Sequence, residues 1–323
     1  MEERPGVAQD ELSIMRSKIA RTLPLLGFIL FAGLGSGCTR DEARSVVVYT
    51  SQDQVYAEPI LKEFERETGV KVRAVYDSEA VKTVGLVNRL LAENHRPQCD
   101  VFWNNEELRT RQLAAKGVIE KWAAVGYRSR RIAVNTNKLS LASAPQSLSE
   151  LTNAAWRGKV ALAYPLFGTT ATHFLALRQF WGDERWRGWC RAFAANKPLL
   201  VDGNSVAVKL VANGEAWIGL TDSDDIAAEQ REGAPIAPLP LTDESLLIPN
   251  TLALVRGAPH GQAAECVYAY LQRSDVEKKL VAAQAFEAES AQRATVATLK
   301  PDWSKLLADL DAGTESLKEI FLR

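Results

Sequence analysis

The chain has 323 residues, 46% of them hydrophobic, and a formal net charge of -1 at pH 7. This length and composition are typical of a globular protein with one large domain or two smaller ones. The chain lacks the overall basic character of nucleic-acid-binding proteins, so we expect no nucleic-acid partner.

Residues 1–38 are predicted to be a signal peptide with a lipidation site and no part of the fold. A basic stretch precedes an apolar run over 23–34, which is shorter than a membrane-spanning helix and has the length of a signal-peptide core. Small residues then lead to Cys38, an order similar to a bacterial lipobox, in which the cysteine is lipidated. The sequence therefore predicts an exported, periplasmic or cell-envelope lipoprotein anchored at Cys38. A plain signal peptide and a start at Met15 are the alternatives.

Three further cysteines, Cys99, Cys190 and Cys266, are far apart in sequence and have no metal-binding spacing. The sequence therefore predicts no structural zinc site. An exported protein can form one disulfide from such a set, and the pairing stays open. Buried free thiols are the default expectation.

Strands and helices alternate through the first third of the chain. Runs of β-branched and alternating apolar residues predict the strands, and apolar residues at helical spacing predict the helices. The predicted elements are a strand over 46–49, a helix between 56 and 69, a strand over 70–76, a helix over 81–93, a strand over 99–103 and a helix ending near 116. This order predicts a parallel sheet covered by helices.

A second series of strands and helices follows. The predicted strands cover 131–135, 160–167, 199–201, 216–220 and 251–255. The predicted helices cover 148–156, a long segment ending near 191, then 206–212, 226–231, 262–272, 275–283 and 302–320. Residues 238–249 are predicted to be an extended linker.

Two α/β lobes are the predicted domain organisation. Strands near residues 131 and 251 are predicted to cross between the lobes as hinges, with a ligand cleft between them. Lobe 1 comprises residues 45–135 plus 246–323, and lobe 2 comprises residues 136–245.

The turn after the strand over 160–167 is rich in hydroxyl groups, because Gly168 is followed by Thr169, Thr170 and Thr172. The first N–H groups of a helix have no intrahelical partner and lie at the positive end of the helix dipole. The hydroxyls can cap these N–H groups or join them in holding an anion. The segment alone leaves both interpretations open.

Polar residues follow five of the predicted strands, two in the first series and three in the second. Ligands of parallel α/β sheets lie beyond the carboxyl ends of the strands, so these residues predict a cleft between the lobes. The candidate ligand-binding residues are Thr50, Ser51, Asp53, Asn105, Glu106, Gly168, Thr169, Thr170, Asn204, Ser205, Thr221 and Asp222.

Catalysis has little support in the sequence. The G-x-S-x-G elbow, the H-E-x-x-H zinc motif, the P-loop and the dinucleotide fingerprint are all absent. We therefore expect a protein that is not an enzyme and has no catalytic residue. The rival hypothesis is an anchored enzyme on the same scaffold, with His173 as its base. A histidine on the helix surface is the simpler interpretation of His173.

Three segments in this order resemble a known family. They are VVVYTSQDQVYAEPILKEFERETGVKV from residue 46, CDVFWNNEELRTRQLAAKGVIEKW from residue 99 and SVAVKLVANGEAWIGLTDSDD from residue 205. With the lipobox-like leader, they are similar to the extracellular solute-binding proteins of ABC importers, most of all the ferric-iron-binding type, over residues 45–320. The resemblance implies a periplasmic-binding-protein-like α/β fold and hinge closure on a ligand. It also implies delivery of that ligand to a membrane permease with an ATPase.

The same resemblance indicates where iron ligands would lie. Iron-binding relatives place ligands after the first strand and after the D-V-F strand, and here the matching positions are Asp53 and Asn105 with Glu106. Above all, they use an adjacent tyrosine pair, which residues 221–225 lack. Asp53, Glu106 and Asp222 are therefore the candidate metal ligands of a carboxylate site. The turn at 168–172 matches the region that helps iron-binding relatives to hold an anion.

The main hypothesis is a lipid-anchored receptor of an ABC importer that captures a small polar or anionic solute, such as a phosphorylated compound, by hinge closure. The alternative is a ferric-iron-binding protein in which Fe³⁺ is cargo, held by carboxylates and a bound anion. No cofactor beyond such cargo is expected. We expect a monomer whose partners are the solute or ion, the membrane, the permease and its ATPase, and the choice between transport and sensing stays open.

Overall fold

A computed structural model describes residues 45–77, 83–294 and 299–322. The predicted leader, Cys38 and Met15 lie outside the described residues. In the part of the chain that the structure describes, no helix combines the length and the apolar character needed to cross a bilayer.

The described strands form one mixed sheet. Their bounds are β1 Ser45–Thr50, β2 Lys71–Tyr76, β3 Val101–Asn104, β4 Ile119–Asn135, β5 Val160–Ala163, β6 Leu199–Val201, β7 Ile218–Asp222, β8 Ile236–Pro240 and β9 Leu247–Val255. Their order in the sheet is β2-β1-β3-β9-β4-β7-β5-β6, and β8 pairs with β4 outside this path. β1 lies parallel to β2 and β3, and β5 lies parallel to β6 and β7. β4 and β9 run antiparallel to their neighbours.

Helices follow most of the strands, in the predicted order. Their bounds are α1 Gln54–Thr68, α2 Val84–Ala92, α3 Glu107–Ala115, α4 Gly168–Trp181, α5 Asp183–Ala195, α6 Asn204–Ala212, α7 Ser223–Arg231, α8 Gly261–Leu271, α9 Ser274–Ala282 and α10 Trp303–Phe321. Short 3-10 helices cover Leu141–Ser143, Ser149–Thr152, Ala154–Trp156, Thr242–Glu244 and Ala291–Arg293. The mixed α/β class that the sequence predicts is therefore confirmed.

Several predicted elements have different bounds in the structure. The helix predicted over 148–156 is two 3-10 helices. Gly182 divides the predicted long helix into α4 and α5, because its φ of 82° and ψ of 156° are not helical and are tolerated by glycine. The strand predicted to reach 167 ends before Pro165, which has no N–H to donate to a sheet. The predicted linker over 238–249 contains the end of β8 and the start of β9, since both pair with β4.

β4 is longer than the strand predicted over 131–135, with 17 residues. Its first part, through Ser129, pairs with β9, whereas its last part, from Arg130, pairs with β7 and β8. The strand thus continues from one half of the sheet into the other. An irregularity interrupts its pairing with β9 near Gly126, where φ is 68° and an added Cβ would lie 2.0 Å from the Phe286 ring. Only glycine fits at that point of the strand.

Separate apolar clusters cover the two halves of the sheet. Val48, Phe64 and Trp103 lie in a cluster under β1 and β3. Trp186 and Leu220 lie in another cluster, on the half that contains β5 and β7.

The C-terminal helix α10 packs with the second half of the sheet. Its Leu306, Leu310 and Leu317 join Phe174 of α4 in one apolar cluster. The predicted domain organisation instead assigns α10 to lobe 1, because its residues fall within the range 246–323. The predicted lobe boundaries stay a prediction.

The three cysteines of the described region are free thiols. Cys99 and Cys190 are buried, as expected, and burial raises the pKa of both thiols. The expectation of a buried thiol is wrong for Cys266, which is exposed on α8.

Candidate ligand-binding site

A pocket lies where the carboxyl ends of strands from both halves of the sheet meet. We call it the inner pocket, and its lining residues are Asp53, Asn105, Arg128, Ala163, Phe167, Gly168, Thr169, Asp202, Gly203, Asn204, Asp222 and Asp225. Six of the predicted ligand-binding residues are among them: Asp53, Asn105, Gly168, Thr169, Asn204 and Asp222. Residues far apart in the chain are thus brought together as the polar strand ends predict.

The amino ends of three helices face the inner pocket. The residues that precede α4, α6 and α7 are Phe167, Gly203 and Asp222, and all three line the pocket. None of them caps its helix with a side-chain hydrogen bond. The first N–H groups of these helices and their dipoles therefore favour an anion at this place.

The threonines at the start of α4 do not cap that helix. Thr169 Oγ1 donates to Asp222 Oδ2 at 2.6 Å and accepts from Asn204 Nδ2 at 2.9 Å. Thr170 Oγ1 donates to Asn204 Oδ1 at 3.1 Å. These hydroxyls join α4 to β7 and α6, and Phe167, the residue before the helix, provides no side-chain cap. Of the two interpretations of this turn, the capping role is wrong.

Two buried arginines of β4 lie at the same site, and sequence reasoning missed both. Arg130 Nη1 donates to Asp222 Oδ1 at 2.7 Å and to Asn204 Oδ1 at 3.1 Å. Arg128 forms an ion pair with Asp224 and donates to the Asn105 carbonyl oxygen at 3.2 Å. A signal did exist, because residues two apart in a strand share one face and Arg128 and Arg130 have this spacing.

The two aspartates that face these arginines titrate differently. Burial raises the pKa of Asp222, but the charges of Arg130 and Arg128 outweigh burial and hold that pKa below its ordinary value. Burial, together with the charges of Asp222 and Asp53, raises the pKa of Asp224 to about 6 in spite of Arg128. The site thus holds its charges by ion pairs in a place from which water is largely removed.

A second pocket adjoins the first between α1 and α7. We call it the outer pocket, and its lining residues are Asp53, Val55, Tyr56, Ser205, Val208, Lys209, Asp224, Asp225, Ala228, Glu229, Arg231, Glu232 and Ala283. It shares Asp53 and Asp225 with the inner pocket. The predicted residue Ser205 lies here. We refer to the two pockets together as the cleft.

The remaining predicted site residues line neither pocket. Ser51 Oγ donates to Asn104 Oδ1 at 2.7 Å, and Thr50 Oγ1 accepts from the Gln52 N–H at 3.0 Å, so both shape the turn after β1. Thr221 Oγ1 donates to Asp225 Oδ2 at 3.0 Å and orients that carboxylate. These residues therefore hold the neighbours of the cleft in place without lining the cleft themselves.

Glu106 is the N-cap of α3. Its carboxylate accepts from the N–H groups of Leu108 and Arg109 at 2.7 and 2.9 Å. Its Oε2 also accepts from Thr172 Oγ1 of α4 at 3.0 Å. A carboxylate before a helix is well suited to this role, and here both of its oxygens are engaged. Its predicted role as a metal ligand therefore has no support from its position.

A metal could be held by oxygens of Asp222, Asp224 and Asp225, which lie within 4.8 Å of one another. Arg130 and Arg128 already pair with Asp222 and Asp224. A cation between these carboxylates would face two buried guanidinium groups, so the donor set is poorly suited to Fe³⁺. Asp53 and Asp222 both line the inner pocket, and residues 221–225 contain no tyrosine.

His173 is buried within α4 and lines neither pocket. The interpretation as a surface histidine is therefore wrong. Its Nε2 lies 2.7 Å from the Glu244 carbonyl oxygen. Burial and the charge of Arg130 lower its pKa to about 3, so the ring is neutral at physiological pH. A neutral, enclosed imidazole outside the cleft gives no support to an enzyme that uses it as a base.

Comparison with known proteins identifies the family. The family model described as a bacterial extracellular solute-binding protein matches residues 45–290, and the chain belongs to this family. The major ferric iron-binding protein of Neisseria meningitidis serogroup A is 25% identical over 192 residues, which are 53% of this chain and 56% of that relative. The predicted resemblance to the ferric-iron-binding type is thereby confirmed. Proteins of this class are solute-binding receptors of ABC importers.

Solved structures share the fold. Iron-bound HitA from Pseudomonas aeruginosa has a TM-score of 0.74 and 18% identity, over 84% of this chain and 99% of HitA. AfuA from Actinobacillus pleuropneumoniae, a periplasmic binding protein with exogenous fructose-6-phosphate bound, has a TM-score of 0.76 and 18% identity, over 86% of this chain and 98% of AfuA. The predicted two-lobed, periplasmic-binding-protein-like fold is confirmed.

Proposed function

We propose that this protein is the receptor of an ABC importer for a small solute that carries a phosphate-like anionic group. The observation that supports this best is the convergence of three uncapped helix amino ends on a pocket lined by Arg128. Helix amino ends and arginine are the features that proteins use to hold phosphate groups.

Arg128 has a donor available for such a ligand. Its side chain is 3% exposed, and its Nε has no hydrogen-bond partner among the described residues. A buried donor without a partner costs free energy unless a ligand satisfies it. The anionic group of a bound solute would supply that partner.

Contacts across the cleft support capture by closure. Thr172 of α4 donates to Glu106 beside α3, and Arg231 of α7 donates to Tyr56 of α1 at 2.7 Å. A solute that touches both sides of the cleft favours the closed state by its differential affinity for that state. Delivery to a permease with its ATPase, a lipid anchor at Cys38 and a monomeric state are parts of the same proposal.

Ferric iron is the second candidate. Ferric iron is favoured by the names of the relatives and by the three neighbouring carboxylates of Asp222, Asp224 and Asp225. The buried arginines beside these carboxylates weigh against it. In that case Fe³⁺ would be cargo held with an anion at the helix amino ends.

Calorimetric titration of the full chain with glycerol 3-phosphate and, separately, with ferric citrate tests the proposal. We expect the phosphate ester to bind, and Arg128→Gln to weaken its binding about tenfold or more, because a charge-assisted contact is lost. Arg131→Gln is the matched control, since it removes an arginine of the same strand whose partner Glu287 lies outside the inner pocket. Iron binding without phosphate-ester binding, unchanged in Arg128→Gln, would support the second candidate. Thermal unfolding of both variants checks their folding.

A further inference from the structure

The two pockets of the cleft differ greatly in size. The open space of the inner pocket is about 20 Å³, whereas that of the outer pocket is about 530 Å³. The inner pocket can therefore hold a compact anionic group and little more of a solute. Because Asp53 and Asp225 line both pockets, the two spaces adjoin, and the rest of the solute has room in the outer pocket.

Several charged groups of the outer pocket already have partners within the protein. Asp224 forms an ion pair with Arg128, and Asp225 Oδ2 accepts from Thr221 Oγ1 at 3.0 Å. Arg231 donates hydrogen bonds to α1 and to the segment after α9. The remaining contact surface of the outer pocket therefore decides which organic group it favours.

Apolar side chains from both sides of the cleft line the outer pocket. We call them the apolar lining, and its residues are Val55 and Tyr56 of α1, Val208 of α6 and Ala228 of α7. Val55 is 69% exposed, the largest value among the exposed large apolar side chains that the structure describes. An apolar group that covers Val55 removes apolar surface of both partners from water, which is favourable. Such a group would touch helices on both sides and would thereby also favour the closed state.

We infer that the solute is a phosphate ester or phosphonate whose organic part is an apolar alkyl or aryl group that packs against the apolar lining. The anionic group lies in the inner pocket, at the helix amino ends and Arg128. This inference rests on the proposed receptor function and adds the chemical class of the rest of the solute.

A series of monoalkyl phosphates tests the inference. Methyl, ethyl, n-propyl and n-butyl phosphate, with inorganic phosphate alongside, are titrated into the full chain by calorimetry. We expect each added methylene to raise the affinity about twofold to fourfold, because each buries further apolar surface. The heat-capacity change of binding should become more negative along the series, since this is the thermodynamic sign of apolar burial.

A matched pair of probes separates an apolar organic part from a hydroxylated one. n-Propyl phosphate and glycerol 3-phosphate share a three-carbon skeleton and differ in two hydroxyl groups. We expect n-propyl phosphate to bind several-fold more tightly.

Two serine variants then locate the contact. We expect Val55→Ser and Ala228→Ser each to reduce the gain in affinity per methylene. Val55 is exposed and Ala228 is half-buried, and thermal unfolding checks that both variants fold. Phe180→Ser is the control, because Phe180 is 59% exposed and lines neither pocket, and it should keep the gain.

Each outcome supports or overturns a distinct part of the inference. Affinities that stay equal or fall with chain length, or tighter binding of glycerol 3-phosphate than of n-propyl phosphate, would overturn the apolar class and leave the anion receptor intact. A gain per methylene that is unchanged in both serine variants would overturn the assigned contact with the apolar lining. Binding of none of these phosphates would overturn both the inference and the proposed function.

Discussion

Two buried guanidinium groups and their carboxylate partners dominate the electrostatics of the cleft. Removing such charges from water costs free energy, and only well-formed ion pairs with further hydrogen bonds offset that cost. Asp222 has this support, because Arg130, Thr169 and Asn204 all donate to it. Asp224 is supported mainly by Arg128, and its pKa is raised to about 6 by burial first of all.

The raised pKa of Asp224 predicts how the free energy of unfolding depends on pH. Because the folded pKa lies above the ordinary value of 3.8, the folded protein binds a proton at Asp224 more tightly than the unfolded chain does. This group therefore contributes stability that is fully present below about pH 4 and is lost as pH rises through about 6. We expect the wild type, compared with Asp224→Asn, to gain free energy of unfolding between pH 7 and pH 4.5.

Urea unfolding of the two proteins at both pH values measures this difference. Asp275→Asn is the matched control, because Asp275 is an aspartate paired with the exposed Arg273 and its pKa is lowered by that partner. In the control comparison the sign is opposite, so the wild type loses stability relative to the variant as pH falls. If the free energy of unfolding of the wild type, relative to that of Asp224→Asn, is smaller at pH 4.5 than at pH 7, the assigned role of Asp224 is contradicted.

At the residue scale, sequence reasoning found part of the cleft. Asp222, Asn204 and Thr169 were predictable because they are polar and lie in the turns predicted after strands. Arg128 and Arg130 were missed although their two-residue spacing puts them on one face of a strand, because charged residues are normally exposed and their burial is not expected. Only the pairing of β4 with β7 and β9 places these side chains between the two halves of the sheet.

At the element scale, the end of α7 connects the two sides of the cleft. Arg231, its last residue, donates to Tyr56 Oη at 2.7 Å and lies 5.6 Å from the centre of the Tyr56 ring. The same guanidinium group also donates to the Ala283 carbonyl oxygen, beyond α9. These contacts join α7 to elements of the other half of the sheet at the rim of the outer pocket.

Arg231 is expected to hold the cleft closed. We predict that Arg231→Ala speeds solute dissociation about fivefold or more, because at least two hydrogen bonds across the cleft are lost, each contributing about 0.5–1.5 kcal/mol. Tyr56→Phe, which removes one of them, should have a smaller effect. Stopped-flow measurement of glycerol 3-phosphate dissociation gives the rates, and small-angle scattering gives the fraction of open molecules.

The control for the closing role of Arg231 is Arg66→Ala, which changes an exposed arginine in the last turn of α1. It should leave both the dissociation rate and the scattering unchanged. An Arg231→Ala protein with the wild-type dissociation rate would contradict a closing role for Arg231.

The elements themselves were largely predictable, since apolar periodicity places most strands and helices close to their observed bounds. The long crossing of β4 was not. Its first part has no regular alternation, and the irregularity near Gly126 shifts its register against β9. The length and register of such a strand depend on pairing partners that are far away in the chain, and local propensity indicates little about them.

At the scale of the whole molecule, the two halves of the sheet are joined by β4 and by side-chain contacts across the cleft. α10 adds a further connection, because it contacts α3 on one side and α4 and α5 on the other. The cleft contains the ion pairs of Arg130 with Asp222 and of Arg128 with Asp224 beside three helix amino ends, which suit a charged solute. We therefore expect the affinity for the solute to depend on groups from both halves of the sheet at once.

Native mass spectrometry of the protein, as purified and after addition of ferric ion, distinguishes a receptor for a phosphate-bearing solute from a receptor for iron. We expect the protein to retain an organic molecule that contains phosphorus and to release it on unfolding. The fraction of protein that retains this molecule should be reduced or zero in Arg128→Gln and unchanged in Arg131→Gln. A gain of one Fe³⁺ with no organic molecule bound, insensitive to Arg128→Gln and lost in Asp222→Ala, would contradict the account and assign the site to iron.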